Sequence, residues 1–243
     1  MRSNSIFKHT INLTLISSVL VLLGGCFAST DKIDSDRVQS ADVHQSYDLY
    51  HDANTNTTHF YATFRVGGST GTTVELVQPG KLEINGQDAV IDNTYGAHYS
   101  SKLRTGNQQT FTVTWSTNEG GKYINTFNVL PVSPAASFNN SISLHAPTII
   151  NIDAPNFDRK EETVRLEIHQ VGLNGNNNYV SISNYDSITK QIIVKPEDLI
   201  NLQNGPATFV LSRSSFRTLE QKTAVGGNAY LKYNKDFSGQ IDP

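Results

Sequence analysis

The side chain with the clearest chemistry is Cys26, the only thiol of the chain. It directly follows Leu23-Gly24-Gly25, at the end of an apolar run over residues 11–23 that has a short basic segment in front of it. A thiol can form a disulfide, bind a metal, act as a nucleophile or receive a lipid, and a single thiol excludes an intramolecular disulfide. The apolar run is too short to span a bilayer stably, so the segment is typical of a secretory signal.

The block Leu23-Gly24-Gly25-Cys26 resembles the bacterial lipobox. The resemblance implies cleavage before Cys26, lipidation of its thiol and acylation of the new amino terminus with chains such as palmitate. Each buried methylene contributes about 0.8 kcal/mol, so two or three chains retain a protein on a membrane. Phe27 stands where an Asp would retain the lipoprotein in the inner membrane, which implies the outer membrane in a Gram-negative host. We therefore predict a signal peptide over residues 1–25.

Metal-binding patterns elsewhere are weak. Asp52, Asn54 and Asn56 have the spacing of a calcium loop, but the sixth and twelfth positions hold Thr57 and Thr63 instead of Gly and Glu. A hairpin turn is favoured, because Asn and Asp bond to nearby backbone. The histidines after the signal peptide contain no His-x-x-x-His pair and are expected at the surface, with a zinc site across strands as the alternative. They are His44, His51, His59, His98, His145 and His169. No cofactor is predicted.

No pattern of a catalytic nucleophile is present. Nucleophilic hydrolysis needs a hydroxyl or thiol on a sharp turn, a histidine base and an orienting acid. The chain has no Gly-x-Ser-x-Gly motif, and the glycine-rich turn at residues 67–71 lacks the lysine and the following helix of a phosphate loop. We predict that the protein is not an enzyme. An envelope hydrolase with a site assembled across strands remains the alternative.

Tyrosines give the candidate binding surface. Tyr61 is expected to point away from the core beside Arg65, and Tyr95 and Tyr99 flank His98 in an irregular stretch. Exposed tyrosines stack on sugar rings or contact proteins, and they also pack across strands without binding anything. A carbohydrate-binding module that uses Tyr61, Tyr95 or Tyr99 is therefore an alternative function.

Short alternating strands position these residues. Apolar side chains at Phe60, Ala62, Phe64 and Val66 share one face of a strand, and the strand at 110–115 alternates in the same way. Strands and turns at this spacing predict a β-sandwich over residues 46–132. The proline-containing segment 131–136 predicts a boundary, and a second β-sandwich is predicted over residues 136–243.

Two further segments complete the predicted architecture. Residues 26–45 are small, charged and without periodicity, so we predict a flexible tether. The stretch Gln191–Arg213 contains a predicted helical turn that starts at Pro196 and stops at Asn204-Gly205. It resembles the corner between late strands of bacterial immunoglobulin-like domains. The resemblance implies an all-β chain of two tandem immunoglobulin-like β-sandwiches behind the signal peptide and the tether.

Composition limits the partners. Removal of the signal peptide leaves 218 residues with 17 basic and 22 acidic side chains, a net charge of −5. A mildly acidic chain without basic clusters is a poor nucleic-acid binder. The lipobox resemblance implies a bacterial lipoprotein, held on the membrane through Cys26. Its predicted role is that of a non-catalytic binding or scaffold module for an envelope protein or glycan.

Overall fold

The computed structural model describes residues 32–93, 97–106, 109–171 and 177–243. The predicted signal peptide, the lipobox Leu23-Gly24-Gly25-Cys26 and Tyr95 lie outside these residues. The described part of the chain forms strands and three short 3₁₀ turns, at Ser35–Arg37, Ser40–Asp42 and Pro196–Leu199. The strands are β1 (Lys32–Asp34), β2 (Val43–Asp52), β3 (Thr57–Val66), β4 (Thr72–Glu75), β5 (Lys81–Ile84), β6 (Gln87–Asp88), β7 (Val90–Asp92), β8 (His98–Arg104), β9 (Thr110–Ser116), β10 (Lys122–Asn128), β11 (Ser133–Pro134), β12 (Ser141–Ser143), β13 (Thr148–Asp153), β14 (Glu162–Val171), β15 (Asn177–Ile182), β16 (Gln191–Val194), β17 (Gly205–Thr223) and β18 (Gly226–Asp242).

The strands form one large sheet and two small ones. The large sheet has eleven strands and the order β1-β4-β3-β2-β18-β17-β14-β15, with β8, β7 and β12 attached at its sides. The small sheets are β10-β9-β5-β6 and β11-β13-β16. Both small sheets pack on the same face of the large sheet, because the inward positions of β17 and β18 contribute to both hydrophobic cores. The all-β sandwich prediction is confirmed.

The first core lies between the large sheet and β10-β9-β5-β6. Phe60 and Phe64 of β3 are buried there with Phe111, Val113 and Trp115 of β9. The rings of Phe64 and Trp115 lie 4.8 Å apart. The alternation predicted for β3 and β9 is thus realised, and each fully buried large apolar side chain contributes roughly 1.5–3 kcal/mol.

The second core lies between the large sheet and β11-β13-β16. Val164, Leu166 and Ile168 of β14 face Ile150 and Ile192 from the small sheet. The turn at Pro196–Leu199 is present where the sequence predicted a helical turn, and the backbone N–H of Lys195 donates to Asp198 at 2.9 Å. This turn directs Leu199 into the core.

The hairpin β17–β18 belongs to both cores, which the expected boundaries at 46–132 and 136–243 do not describe. Its strands have 19 and 17 residues. Phe209 and Ile241 are buried in the second core, whereas Leu219, Ala229 and Leu231 are buried in the first. In addition, β18 pairs in parallel with β2. Local alternation shows that a strand exists but not which core each part of it enters, so the shared hairpin was not predicted.

A buried ion pair occupies the junction of the two cores. Nε and Nη2 of Arg213 donate to one carboxylate oxygen of Glu162, at 3.2 and 2.6 Å. Nη1 of Arg213 donates to the carbonyls of Pro131 and Pro155, at 3.1 and 2.8 Å. Arg217 donates to the other oxygen of Glu162 at 3.1 Å. Arg213 therefore ties the segment between the cores to the shared hairpin.

Residues 32–45 are not the flexible tether that the sequence predicted. β1 pairs in parallel with β4, with Lys32 opposite Thr73. Ser35 is buried, and its hydroxyl donates to Asn118 at 2.6 Å. The prediction failed because this segment gains its order from residues about 40 or more positions away, and such contacts leave no periodic pattern in the segment itself.

The first sandwich is closed along one side by amide side chains. Asn125 of β10 donates to the backbone carbonyl of Gln221 at 2.9 Å and accepts from its N–H at 3.0 Å. The Gln221 side chain accepts from the N–H of Ile124 at 2.7 Å. These bonds substitute for strand pairing between β10 and β17 and cover an edge that would otherwise be open.

In the described ranges, no helix has the length and hydropathy needed to cross a membrane.

Candidate binding surface

The face of the large sheet opposite the two cores is the candidate binding surface, here called the outer face. Along β17, β18, β2 and β3 every second residue points to it, so directly paired residues form rows across the strands. One such row runs from Phe216 through Tyr230 and Asp48 to Tyr61. The register continues it to Ser100 on β8.

Three aromatic side chains of this row are exposed. We call Phe216, Tyr230 and Tyr61 the aromatic row; their exposed fractions are 62%, 38% and 44%. Phe216 and Tyr230 are on neighbouring strands, whereas β2 lies between Tyr230 and Tyr61. At about 4.8 Å per strand, Tyr230 and Tyr61 are attached about 10 Å apart and the whole row extends about 15 Å. The aromatic row is thus a linear array of rings.

Asp48 lies inside the aromatic row, between Tyr230 and Tyr61. Partial burial among its neighbours raises the pKa of the Asp48 carboxyl above its ordinary value. In the part of the chain that the structure describes, no hydrogen bond or ion pair occupies this carboxylate. The residue is nevertheless exposed, so its carboxylate can accept a hydrogen bond from a ligand.

The residues predicted as a binding surface do not stay together. Tyr61 is exposed as expected, and Arg65 is half-buried on the same face, where it donates to the carbonyl of Gly71 at 3.0 Å. The prediction that Tyr99 belongs to an exposed binding surface is wrong, because Tyr99 is 5% exposed and packs in the first core against Phe64. Its hydroxyl accepts from the N–H of Leu76 at 2.5 Å, and burial raises the pKa of Tyr99 to about 12.

The error at Tyr99 has a clear origin. The sequence predicts an irregular stretch around it, whereas residues from His98 onward form β8 in register with β3. In that register Tyr99 is opposite Ala62, an inward position. Phe216 and Tyr230 were missed for a related reason. Alternation along β18 places Tyr230 outward, but only the register across three strands shows that it lines up with Tyr61.

The Asp52 turn uses its acidic side chain internally. The Asp52 carboxylate accepts from the N–H of Asn54 at 2.9 Å and from the hydroxyl of Thr55 at 2.8 Å. Asn56 has φ of 50°, the left-handed conformation that Asn tolerates in hairpin turns. Among the described residues, no group of three or more His, Cys, Asp or Glu side chains is arranged to hold a metal ion.

His51 is a second correction, because it is buried instead of lying at the surface. It is 4% exposed and stacks on Tyr233 with a centroid separation of 5.1 Å. Its Nδ1 is 2.9 Å from the hydroxyl of Thr58, the kind of contact that a nucleophile and its base would make. Thr58 is fully buried, so no substrate can reach this pair.

Two clefts lie on the described part of the molecule. A cleft of about 590 Å³ is lined by the turn residues Phe157 and Arg159 and by the segment 183–188, which includes Tyr185 and Asp186. A groove of about 420 Å³ lies along β10 and β17 and includes Arg217 and Glu220. Neither lining contains a histidine.

Comparison with known proteins does not assign the chain to a family. No protein-family model matches the chain, and no curated protein sequence matches it. A solved structure described as fibronectin(III)-like modules of Clostridium thermocellum CbhA is similar over 79% of this chain and 87% of that chain, with 12% identity and a TM-score of 0.22. At this identity and TM-score the similarity supports no statement about shared fold or function.

Proposed function

We propose that the protein is a lipid-anchored, non-catalytic binding or scaffold module of the cell envelope, and that the outer face contacts its partner. The aromatic row is the observation that carries the proposal. Large aromatic side chains are enriched at contact surfaces because they offer much apolar area with few rotatable bonds. Here three of them are aligned on one sheet face and remain substantially exposed.

The anchor in this proposal is Cys26. Its support is the lipobox resemblance of Leu23-Gly24-Gly25-Cys26, with the outer membrane as the destination in a Gram-negative host. Because strand β1 begins at Lys32, only six Cα steps separate the anchor from the folded sheet, at most about 22 Å. A lipidated Cys26 would therefore hold the β1 edge of the large sheet close to the membrane surface.

Site-specific photo-crosslinking in cells tests the contact surface. A photoreactive phenylalanine analogue replaces Tyr61 or Tyr230 in the full chain, and a third variant carries it at Tyr179. Tyr179 is a matched control because it is 63% exposed on the same sheet face but far from the aromatic row, next to His169. We expect adducts to envelope material from positions 61 and 230 only. Equal adducts from position 179, or none from either test position, would contradict the proposal.

A further inference from the structure

The rings of the aromatic row make fewer contacts than those of two other tyrosines on the outer face, Tyr179 and Tyr50. Tyr179 stacks on His169 at 5.9 Å, and the Tyr50 ring is covered by the ammonium group of Lys232 at 5.4 Å. Within the described ranges, none of the three rings of the aromatic row stacks on another ring or on a cation. No ring or cation therefore competes with a ligand for the faces of these three side chains.

The surroundings of the aromatic row are polar. On one side the next row contains Asn228 and Ser46, which share a hydrogen bond of 3.1 Å. On the other side it contains Lys232 and His59. The centre of a protein-protein interface is depleted in charged residues and continuous in apolar area. A partner that alternates apolar ring faces with hydroxyl groups fits this surface better.

The charges favour a ligand without strong net charge. Asp48 is an acceptor within the row, whereas Lys232 and Lys102 are donors one row away. A strongly anionic chain would be repelled by Asp48 and a strongly cationic one by the lysines, whereas hydroxyl groups can donate to the first and accept from the second. The spacing of about 10 Å between Tyr61 and Tyr230 suits rings that repeat along an extended chain.

We propose that the aromatic row is a glycan subsite, and that it holds an extended, uncharged chain of β-1,4-linked pyranose sugars laid across β3, β2, β18 and β17. The apolar faces of the sugar rings stack on Tyr61, Tyr230 and Phe216, and the Asp48 carboxylate accepts from a sugar hydroxyl between them. This inference rests on the proposed function, because it names the ligand of the same surface.

Titration calorimetry of the full chain in detergent with chitohexaose tests the subsite, with cellohexaose as a second probe of the same linkage. We expect binding of at least one hexasaccharide. Tyr61→Ala and Tyr230→Ala should each weaken it about tenfold, the loss expected for one stacked ring. Asp48→Asn should weaken it by a similar factor through loss of a charged acceptor. The corresponding disaccharide should bind at least about tenfold more weakly, because it cannot reach both tyrosines.

Tyr179→Ala is the control and should leave the affinity unchanged, and the far-UV circular dichroism and Trp115 fluorescence of each variant report whether the fold is retained. Absence of binding by both hexasaccharides overturns the glycan inference. Binding that Tyr61→Ala and Tyr230→Ala leave unchanged in folded protein overturns it as well. If crosslinking from position 61 persists in either case, the proposed function stands and the partner is not this glycan. If crosslinking is also absent, both fail.

Discussion

Loss of the buried ion pair at the junction should destabilise the protein strongly. The side chains of Arg213 and Glu162 are only 2% and 4% exposed. Arg213→Met keeps a long side chain but removes the main cation that faces the buried Glu162 carboxylate. It also removes the donors to three backbone carbonyls, those of Pro131, Pro155 and Asn156. Breaking a buried pair from one side costs about 3–5 kcal/mol, because the remaining charge stays desolvated. We therefore expect the free energy of unfolding to fall by this amount.

The matched control is Arg217→Met, two positions along the same strand. Arg217 is 31% exposed and its second partner, Glu161, is 48% exposed, so solvent screens much of its interaction. Exposed ion pairs contribute about 0–1 kcal/mol to the free energy of unfolding. Because Arg217 also bonds to the buried Glu162, we expect Arg217→Met to cost an amount at the upper end of this range. The two variants remove the same charge, so the difference between them measures the effect of burial together with the carbonyl hydrogen bonds that only Arg213 makes.

Equilibrium unfolding in urea provides the measurement. With m near 2.5–3 kcal/mol/M, Arg213→Met should lower the midpoint by about 1–2 M. Combining it with Glu162→Gln should cost less than the sum of the single changes, because the double variant leaves no buried charge uncompensated. If Arg213→Met costs less than about 1 kcal/mol, or no more than Arg217→Met, the junction is not stabilised by this pair.

The remaining predictions concern the shared hairpin, a buried histidine and the anchor. Phe209→Ala in the second core should lower the free energy of unfolding by about 3–5 kcal/mol. Because β17–β18 belongs to both cores, the fluorescence of Trp115 in the first core should report the same loss. Separate unfolding transitions by fluorescence and circular dichroism would refute this coupling of the two cores. Gly239→Ala should also destabilise, because a Cβ there would lie 2.2 Å from the Phe209 ring; an unchanged urea midpoint would contradict this close approach. Burial lowers the pKa of His51, so the stability that its neutral form contributes is present above about pH 6.5 and is lost as the pH falls below that value. NMR titration should show the low pKa of His51. His51→Gln should reduce the loss of stability between pH 7 and 5. Cys26→Ser should abolish membrane retention and processing, as seen by cell fractionation and mass spectrometry; unchanged retention would exclude lipidation as the anchor.

Much of the strand content was predictable because it is local. Val164, Leu166 and Ile168 alternate with polar residues, and the structure buries these three and leaves Arg165 and His169 exposed. A side-chain period of two decides which face is apolar wherever one face of a strand is covered. For the same reason Tyr61 could be assigned to the outer face before its neighbours were known.

Register and long-range pairing were not predictable in the same way. Three residues of β1 gain their order from β4, and Tyr99 is buried because β8 pairs with β3 at one register instead of the adjacent one. A shift by one residue would exchange its inward and outward faces. No local pattern contains that choice, since it depends on all the strands that pack together.

The sequence by itself determined the all-β character, the inward face of each alternating strand, and the prediction of a lipid anchor at Cys26. Each of these depends on neighbouring residues along the chain. The tertiary structure alone decided that β17 and β18 serve two cores, that Arg213 is buried at their junction, and that Phe216, Tyr230 and Tyr61 form one row. These features depend on pairing between residues up to about 180 positions apart, which the packing of the whole chain selects.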